Sequence, residues 1–583
     1  MKSLYNWQFR DPDTAVAKNL SNKLEMPEPA ARALANRGVS SVDEALAFMN
    51  PSADDMHSAA LFHDMTPAVE RVLRALDNHE RILIFGDYDV DGITSTALLV
   101  SFLESLGGHV RYYIPERDIE GYGISSDVVR KTGTAGYGLV ITVDTGVTAF
   151  KEIQLARELG VDVIVTDHHE PPEQLPDAVA VINPKRADSQ YPFRELAGVG
   201  VAFKLAAAVG EARGVPMETM LERYGEFVAL GTVADMVPLV DENRFFANYG
   251  LAKMPKSRHL GIYSLLEVAG IGERTEMETD HISFGLAPRI NAAGRVWRPR
   301  AGVELLLAKS PERARLLARK LDDQNKRRMV QENRVFESAA AAIKSSDDDG
   351  GGSFIVMFDP SWQIGIMGVV ASKLMETRRR PVALATLSKN PLDMKSPHPE
   401  LGRVCQATMR SVPGFDVFQA LSACSDLLIT FGGHALAAGM KIYEKNIPAF
   451  KAEMNRMAAQ SAEGRAAASD LRIDAELSLN SANLELIRQC RRLKPFGVGN
   501  PEPVFASIGV AVLMCRAVGA DNSHLQIRVG KGNSVQDCIG FRFCNNWSPD
   551  QLMGENIDIA YVLKEDAFGG RPRPKLHLKD IRK

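Results

Sequence analysis

The chain has 583 residues, more than one hydrophobic core usually supports, so roughly two to four domains are expected. Its 45% hydrophobic and 24% charged content is that of a soluble globular protein. No run approaches the roughly 20 apolar residues that cross a bilayer, and the start MKSLYNWQFRDPD lacks a signal-peptide layout, so a cytoplasmic protein with no membrane partner is expected. The formal net charge of −4 excludes a surface coated in basic residues, so a nucleic-acid site would have to be a local groove.

Residues 1–50 read as an amphipathic helical segment closing at Asn50-Pro51, where the proline disfavours helix continuation. The next unit, 51–309, alternates strands and helices. Its apolar runs 81–87, 138–144 and 161–167 each end at a carboxylate, which predicts a parallel sheet whose strand tips gather those residues. From Ser310 to about Lys344 the text lacks glycine and, after Pro311, proline; it predicts one helix of roughly 50 Å, acting as a connector with a solvated charged face. SSDDDGGGS completes a connecting segment 310–353 as a flexible linker. A second α/β unit follows over 354–468, and over 469–583 short β-like runs between turn residues suggest a small all-β barrel. The six cysteines form no CxxC pair and read as reduced core thiols.

FGDYDVDGITS is the strongest local signal, with Asp87, Asp89 and Asp91 following a buried strand and preceding a helix. In an extended segment alternate residues point the same way, so the three carboxylates would share one side and suit a hard divalent cation. A calcium loop is the structural alternative, but the later bidentate Glu of that pattern is absent. Asp144 in VDTGV and Asp167-His168-His169 in VTDHHE stand at two further strand ends; singly they could be caps or polar loop residues. Asp235 sits in the apolar text LGTVADMVPL, where a buried carboxylate requires a charged partner or a metal.

The order DYDVDG, VDTG, TDHH, VAD is that of the DHH phosphoesterases. APRINAAGR, GGHALAAG, PFGVGNPEPVF and the amino-terminal RALANRGVSSVDEALAFMNP resemble the RecJ-type exonucleases of that family over nearly the whole chain. The resemblance implies an α/β fold with a catalytic domain and a DHH-associated domain joined by the long helix, plus a carboxy-terminal OB-fold barrel. It implies metal-dependent 5′-to-3′ hydrolysis of single-stranded DNA in recombination and repair, with two Mn²⁺ or Mg²⁺ ions. Implied partners are single-strand-binding protein and a RecQ-type helicase, with the chain a monomer.

By position, Asp89, Asp91, Asp144, His168 and Asp235 match the metal ligands, Asp144 as the bridge. Asp87, Asp167 and His169 match the remaining acidic and histidine positions, Asp167 as support and His169 facing substrate. Arg289 and Asn291 would reach the phosphate near the metals, while Arg117, Thr408 with Arg410, and His434 would hold substrate, the arginines gripping a terminal 5′ phosphate. Phe85 stands where some family members carry a further histidine, Trp362-Gln363 stands where Trp-His is common, and 388–404 looks like a local expansion. Phe541, Phe543 and Trp547 are candidates for base stacking on the barrel. Rival readings are a DHH phosphodiesterase acting on short oligonucleotides, cyclic dinucleotides or pyrophosphate, and a non-catalytic binding relative. The extra barrel and long helix argue against the first, and the complete ligand set against the second.

Overall fold

Among the described residues the first element is a strand, β1 (Tyr5–Phe9), rather than a helix, and three short helices follow: α1 (Thr14–Lys23), α2 (Glu28–Ala35) and α3 (Val42–Met49). Asp13 caps α1 by accepting from Ala15 and Val16 N–H, and Ser41 caps α3 by accepting from Glu44 N–H. The computed structural model describes residues 5–116, 123–296, 298–345, 352–390, 393, 398–461, 469–566 and 571–583. Its contacts divide the chain into two units, one of Met1–Met56, Pro238–Asn248 and Ala468–Lys583, the other of His57–Val237 and Tyr249–Ala467.

The second of these units carries two sheets. In the first, β2 (Arg81–Gly86), β3 (His109–Tyr113), β4 (Leu139–Val143), β5 (Asp162–Thr166) and β6 (Ala180–Ile182) lie all-parallel in the order β3-β2-β4-β5-β6. β4 is buried along its whole length, as an apolar run without alternation demands. Helix α4 (Val90–Ser105) leaves the tip of β2 and is buried on nearly all sides, packing on α5 (Gly198–Ala212) and α6 (Met217–Ala234). Helix α7 (Ala287–Val296) precedes the long helix α8 (Pro311–Ser345).

Helix α8 serves two cores. Its first half packs on α7 and on the helix Leu260–Ala269, whereas Val335, Ala339 and Ile343 of its second half join Trp362, Ile366 and Met367 in the next α/β layer. That layer holds the second sheet, β7 (Ile355–Phe358), β8 (Val382–Leu387), β9 (Val404–Arg410), β10 (Leu428–His434) and β11 (Ala437–Tyr443), ordered β10-β11-β9-β8-β7. Only the β7–β8 pair is parallel among its pairings. Helix α9 (Ile364–Arg378) packs on β8 and β9.

In the other unit, β12 (Ser469–Ile473) pairs in parallel with β1, while β13 (Ala475–Glu476), β14 (Phe505–Val518), β15 (His524–Lys531), β16 (Ser534–Gly540), β17 (Asn556–Asp566) and β18 (Arg573–Arg582) run β13-β14-β15-β16-β18-β17. Pairing of β14 with β17 closes the barrel. This order and closure are those of an OB-fold. Trp7 of β1 packs with Ile473, Ala506 and Ala560, donates through Nε1 to Asp580 Oδ2 at 2.8 Å, and lies under the Arg582 guanidinium. Trp7→Ala is therefore expected to lower the stability of this unit by about 3 kcal/mol, read as an earlier urea midpoint.

Candidate metal centre and phosphate groove

Three adjacent parallel strands end in acidic residues, so the sheet brings Asp87 after β2, Asp144 after β4 and Asp167-His168-His169 after β5 to one edge. The expected alternation of Asp87, Asp89 and Asp91 along one extended segment does not occur. The strand stops at Gly86 and α4 begins at Val90, because Asp89 caps that helix, its Oδ1 accepting from Asp91 N–H at 2.9 Å and Gly92 N–H at 3.1 Å. Asp91 consequently points from the first helical turn. Its two carboxylate oxygens accept from Gly198 and Val199 N–H at 2.8 and 2.7 Å, at the amino end of α5, where the helix dipole favours a negative charge.

His168 lies among the acids, its Nε2 3.1 Å from Asp144 Oδ1, 3.6 Å from Asp235 Oδ2 and 3.8 Å from Asp91 Oδ2. Asp235 comes from the C-cap of α6. Two triads have ligand atoms within 4.8 Å of one another, Asp87–Asp89–Asp144 and Asp91–His168–Asp235, and a third, Asp144–His168–His169, overlaps both. Asp144 thus occupies the junction. It takes a left-handed backbone with φ of 59°, a conformation a non-glycine residue adopts at a cost. Gly198 must be glycine here: a Cβ would stand 2.8 Å from Asp144 Oδ1 and 2.9 Å from Asp91 Oδ2.

Asp167 holds the loop instead of joining the triads. Its Oδ1 accepts from the N–H groups of His168 and His169 and meets His169 Nδ1 at 2.7 Å, and its Oδ2 accepts from Val147 N–H. Burial would raise this carboxyl, but the hydrogen bond and charge of His169 with the backbone donors hold it below the ordinary range. His169 keeps 47% of its side chain exposed; burial would lower its pKa, yet Asp167 raises it above the usual value.

The central groups shift the other way. Burial, then the charges of Asp235 and Asp89, pushes Asp91 well up; burial and Asp91, Asp89, Asp87 and Asp235 do the same to Asp144. Burial and Asp89 bring Asp235 to about 7. Burial, with His169 beside it, lowers His168 to about 3, so its imidazole is neutral at pH 7 and its buried Nε2 has no hydrogen-bond partner among the described residues.

Helix α7 overlies the Asp87–Asp89 turn, where a Cβ on Gly294 would meet Tyr88 O at 3.2 Å. On that helix Asn291 is half-buried, and Arg289 is anchored on one side of its guanidinium: Nε donates to Asp322 Oδ1 of α8 at 2.9 Å and Nη1 to Gly285 O at 2.6 Å. Phe85 is fully buried and stacks on Tyr113, so no ligand enters from that position. Arg117 lies outside the described residues.

A groove of about 570 Å³ in the second sheet is lined by Gly365 and Gly368 of α9, Thr408 and Arg410 of β9, and Gly432 and Gly439 of the β10–β11 hairpin. Registry sets Gly432, Gly439 and Thr408 in one row and His434, Ala437 and Arg410 in the next, so His434 faces the same way as Arg410, exposed and roughly 10 Å away across two strand spacings. Arg410 Nη1 lies 3.4 Å from Thr408 Oγ1, and a Cβ on Gly368 would come within 3.1 Å of Arg410 Nη2. Trp362 is buried beneath α9, and its carbonyl accepts from Thr386 Oγ1. On the barrel Phe543 and Trp547 are core residues at 8% and 4% exposure, whereas Phe541 is 55% exposed.

Gly198-Val199 went unremarked in the sequence because their backbone amides act, not their side chains. Met236 was missed too; it follows Asp235 with φ of 62° and is 66% exposed. In metal-free protein the carboxyl of Asp235 keeps its proton up to about pH 7 when folded but loses it near pH 4 when unfolded. The stability from this group is therefore full below about pH 4 and lost as the pH rises through about 7. Melting in EDTA should fall across that window, and Asp235→Asn should flatten the trend.

The profile of the DHH family N-terminal domain matches residues 81–232, that of the DHHA1 domain 351–460 and that of the RecJ OB domain 473–580. The single-stranded-DNA-specific exonuclease RecJ of Bacillus subtilis is 34% identical over 581 residues, covering 100% of this chain and 71% of that protein. Its counterpart in Dickeya dadantii is 32% identical over 589 residues, with 97% and 99% covered. The crystal structure of RecJ in complex with Mn²⁺ from Thermus thermophilus superposes with a TM-score of 0.83 at 29% identity, over 99% of this chain and 79% of that one. Likeness that runs unbroken through both sheets and the barrel places the chain in the RecJ family of DHH phosphoesterases.

Proposed function

We propose that the chain is a metal-dependent exonuclease that hydrolyses phosphodiester bonds of single-stranded DNA from the 5′ end. The observation that carries the reading is the pair of ligand triads, one containing Asp144 and the other His168, which approach each other at 3.1 Å, in a chain of the RecJ family. A divalent cation fits this donor set. The neutral buried Nε2 of His168 and the crowded carboxylates form an environment that desolvation and like-charge repulsion destabilise when no cation is present. Mn²⁺ or Mg²⁺ would be held by Asp89, Asp91, Asp144, His168 and Asp235, with Asp87 beside Asp144. When bound, such ions polarise the phosphate and make water a better nucleophile.

The protein's own groups supply orientation. Asp167 holds Nδ1 of His169, which leaves Nε2 as the atom able to hold a proton against a phosphate oxygen. Arg289, anchored by Asp322, keeps part of its five-donor fork for a phosphate near Asn291. Thr408 and Arg410 make the second sheet's groove a seat for the terminal 5′ phosphate, and its glycines let a sugar–phosphate backbone approach closely; the family resemblance adds Arg117 and His434 as further substrate contacts. We read 51–309 as the catalytic domain, 310–353 as the link, 354–468 as the DHH-associated domain and 469–583 as the OB domain, with 1–50 completing the latter. The RecJ resemblance supports a monomer in the cytoplasm working with single-strand-binding protein and a RecQ-type helicase. Among the described residues no helix is long and apolar enough to cross a membrane.

Asp144→Asn should reduce hydrolysis of end-labelled single strands by more than about a hundredfold at saturating Mn²⁺, since even supporting residues around a metal cost 10–100-fold. Activity within tenfold of wild type would remove Asp144 from the ligand set. Arg410→Ala should retain cleavage but lose about tenfold in the preference for a 5′ phosphate over a 5′ hydroxyl, as befits one charge-assisted contact. A preference kept in full by the variant would move the phosphate seat elsewhere.

A further inference from the structure

The run PFGVGNPEPVF is used by neither the metal centre nor the groove. Its role is legible from the segment it holds. Asp235 caps the end of α6, and after Met236 and Val237 the chain passes into the barrel's unit as Pro238–Asn248. On the helix side the backbone is tied by Asp235 N–H, which donates to Gly231 O at 2.9 Å. On the other side Leu239 N–H donates to Val498 O of the run at 2.7 Å. Four residues reach at most about 14 Å, so little slack separates this tie from the Asp235 carboxylate. Met236, with its left-handed backbone, and Pro238, with its fixed φ, stiffen the link further.

The receiving loop is shaped for that tie. Gly497 and Asn500 exchange backbone hydrogen bonds at 2.9 and 3.2 Å, and Gly499 between them takes a φ of 74°. A Cβ on Gly499 would stand 2.9 Å from Pro238 Cβ, and one on Gly497 would stand 2.7 Å from Leu239 Cδ1, so both glycines make room for the entering segment. Asn500 is wholly buried and uses each side-chain group within the loop and beside it. Its Nδ2 donates to Leu493 O and Pro495 O, both at 2.8 Å, and its Oδ1 accepts from Arg37 Nε at 2.6 Å.

Arg244 closes the clamp from the helix Asp241–Lys253, where Asn243 Nδ2 also donates to Pro238 O at 3.1 Å. The buried Arg244 guanidinium donates through Nη2 to Lys494 O at 2.6 Å and Leu493 O at 3.1 Å, and through Nε to Phe48 O at 2.7 Å, while resting 3.8 Å from the Phe48 ring. Enclosing a cation among carbonyls is a costly way to fasten a loop, and an apolar side chain of similar volume would serve cohesion as well. What the guanidinium adds is direction, because several donors in a rigid fork fix the carbonyls in one arrangement.

We propose that Arg244 is a positioning residue for Asp235. With Asn500 and the two glycines it fixes the far end of the link 236–239, and so sets where the Asp235 carboxylate stands among the other ligands. The proposal rests on the reading of Asp235 as a metal ligand and adds what holds it.

The test measures Mn²⁺ affinity of the full-length chain from the EPR signal of the free ion, a readout independent of hydrolysis. Arg244→Met keeps the bulk and removes the donors, and Gly499→Ala crowds Pro238. Each should weaken Mn²⁺ binding by about tenfold at the site that Asp235→Asn removes, the lower end for residues that support a metal ligand. Trp7→Ala loosens the same unit through Ile473, Ala506 and Ala560 instead, and should bind Mn²⁺ as wild type does. In the Asp235→Asn background Arg244→Met should cost no further affinity, since residues that act through one group are not additive. Wild-type affinity in whichever of the two variants folds, an equal loss in Trp7→Ala, or an additive loss in the double variant would overturn the positioning role. Wild-type affinity in Asp235→Asn itself would overturn the ligand reading on which it stands.

Discussion

Mutual repulsion among buried carboxylates is the constraint around which the catalytic layer is arranged. Asp87, Asp91 and Asp144 are all but inaccessible to water, and Asp235 and His168 close on them. Taking such charges out of water is expensive, and their proximity adds to the cost. Three devices offset it: the amino end of α5 directs two amides at Asp91, Asp89 caps α4 with one of its oxygens, and Asp167 gathers the Asp167–His169 loop around itself. The residual imbalance is what a divalent cation would neutralise, which makes affinity for metal a property of the fold and not of any one ligand.

The same pressure accounts for the local strain. Asp144 adopts a left-handed backbone and Gly198 gives up its side chain so that a carboxylate and a helix terminus share one small volume. Neither choice favours stability by itself. Residues held in this way persist because the surrounding sheet and helices leave them no alternative.

Helix α8 links the chemistry to the groove by belonging to two cores at once. Its first half takes Arg289 through Asp322, and that salt bridge, with both side chains largely buried, ties the helix bearing Asn291 to the connector. Its second half is packed under Trp362 and α9, the helix whose Gly368 makes room for Arg410. A helix without internal glycine or proline, packed against both layers, transmits position better than a flexible linker would.

Much of the candidate centre was legible in the sequence, because strand tips and capping motifs are set by neighbours along the chain. The runs ending at Asp87, Asp144 and Asp167 became β2, β4 and β5, and parallel pairing carried their ends to one edge. The extent of α8 was equally plain from an uninterrupted helical pattern. What the chain order could not reveal was which distant partners meet. β1 was hidden because its ladder partner, β12, lies more than 400 residues away, and a strand without its neighbour has no local signature. Arg289 turned toward Asp322, and Phe541 separated from Phe543 and Trp547 as the exposed ring, for the same reason. The sequence by itself determined which side chains could do chemistry and the elements that bear them; burial, partner and direction were decided by tertiary structure, because each depends on surfaces that distant segments contribute.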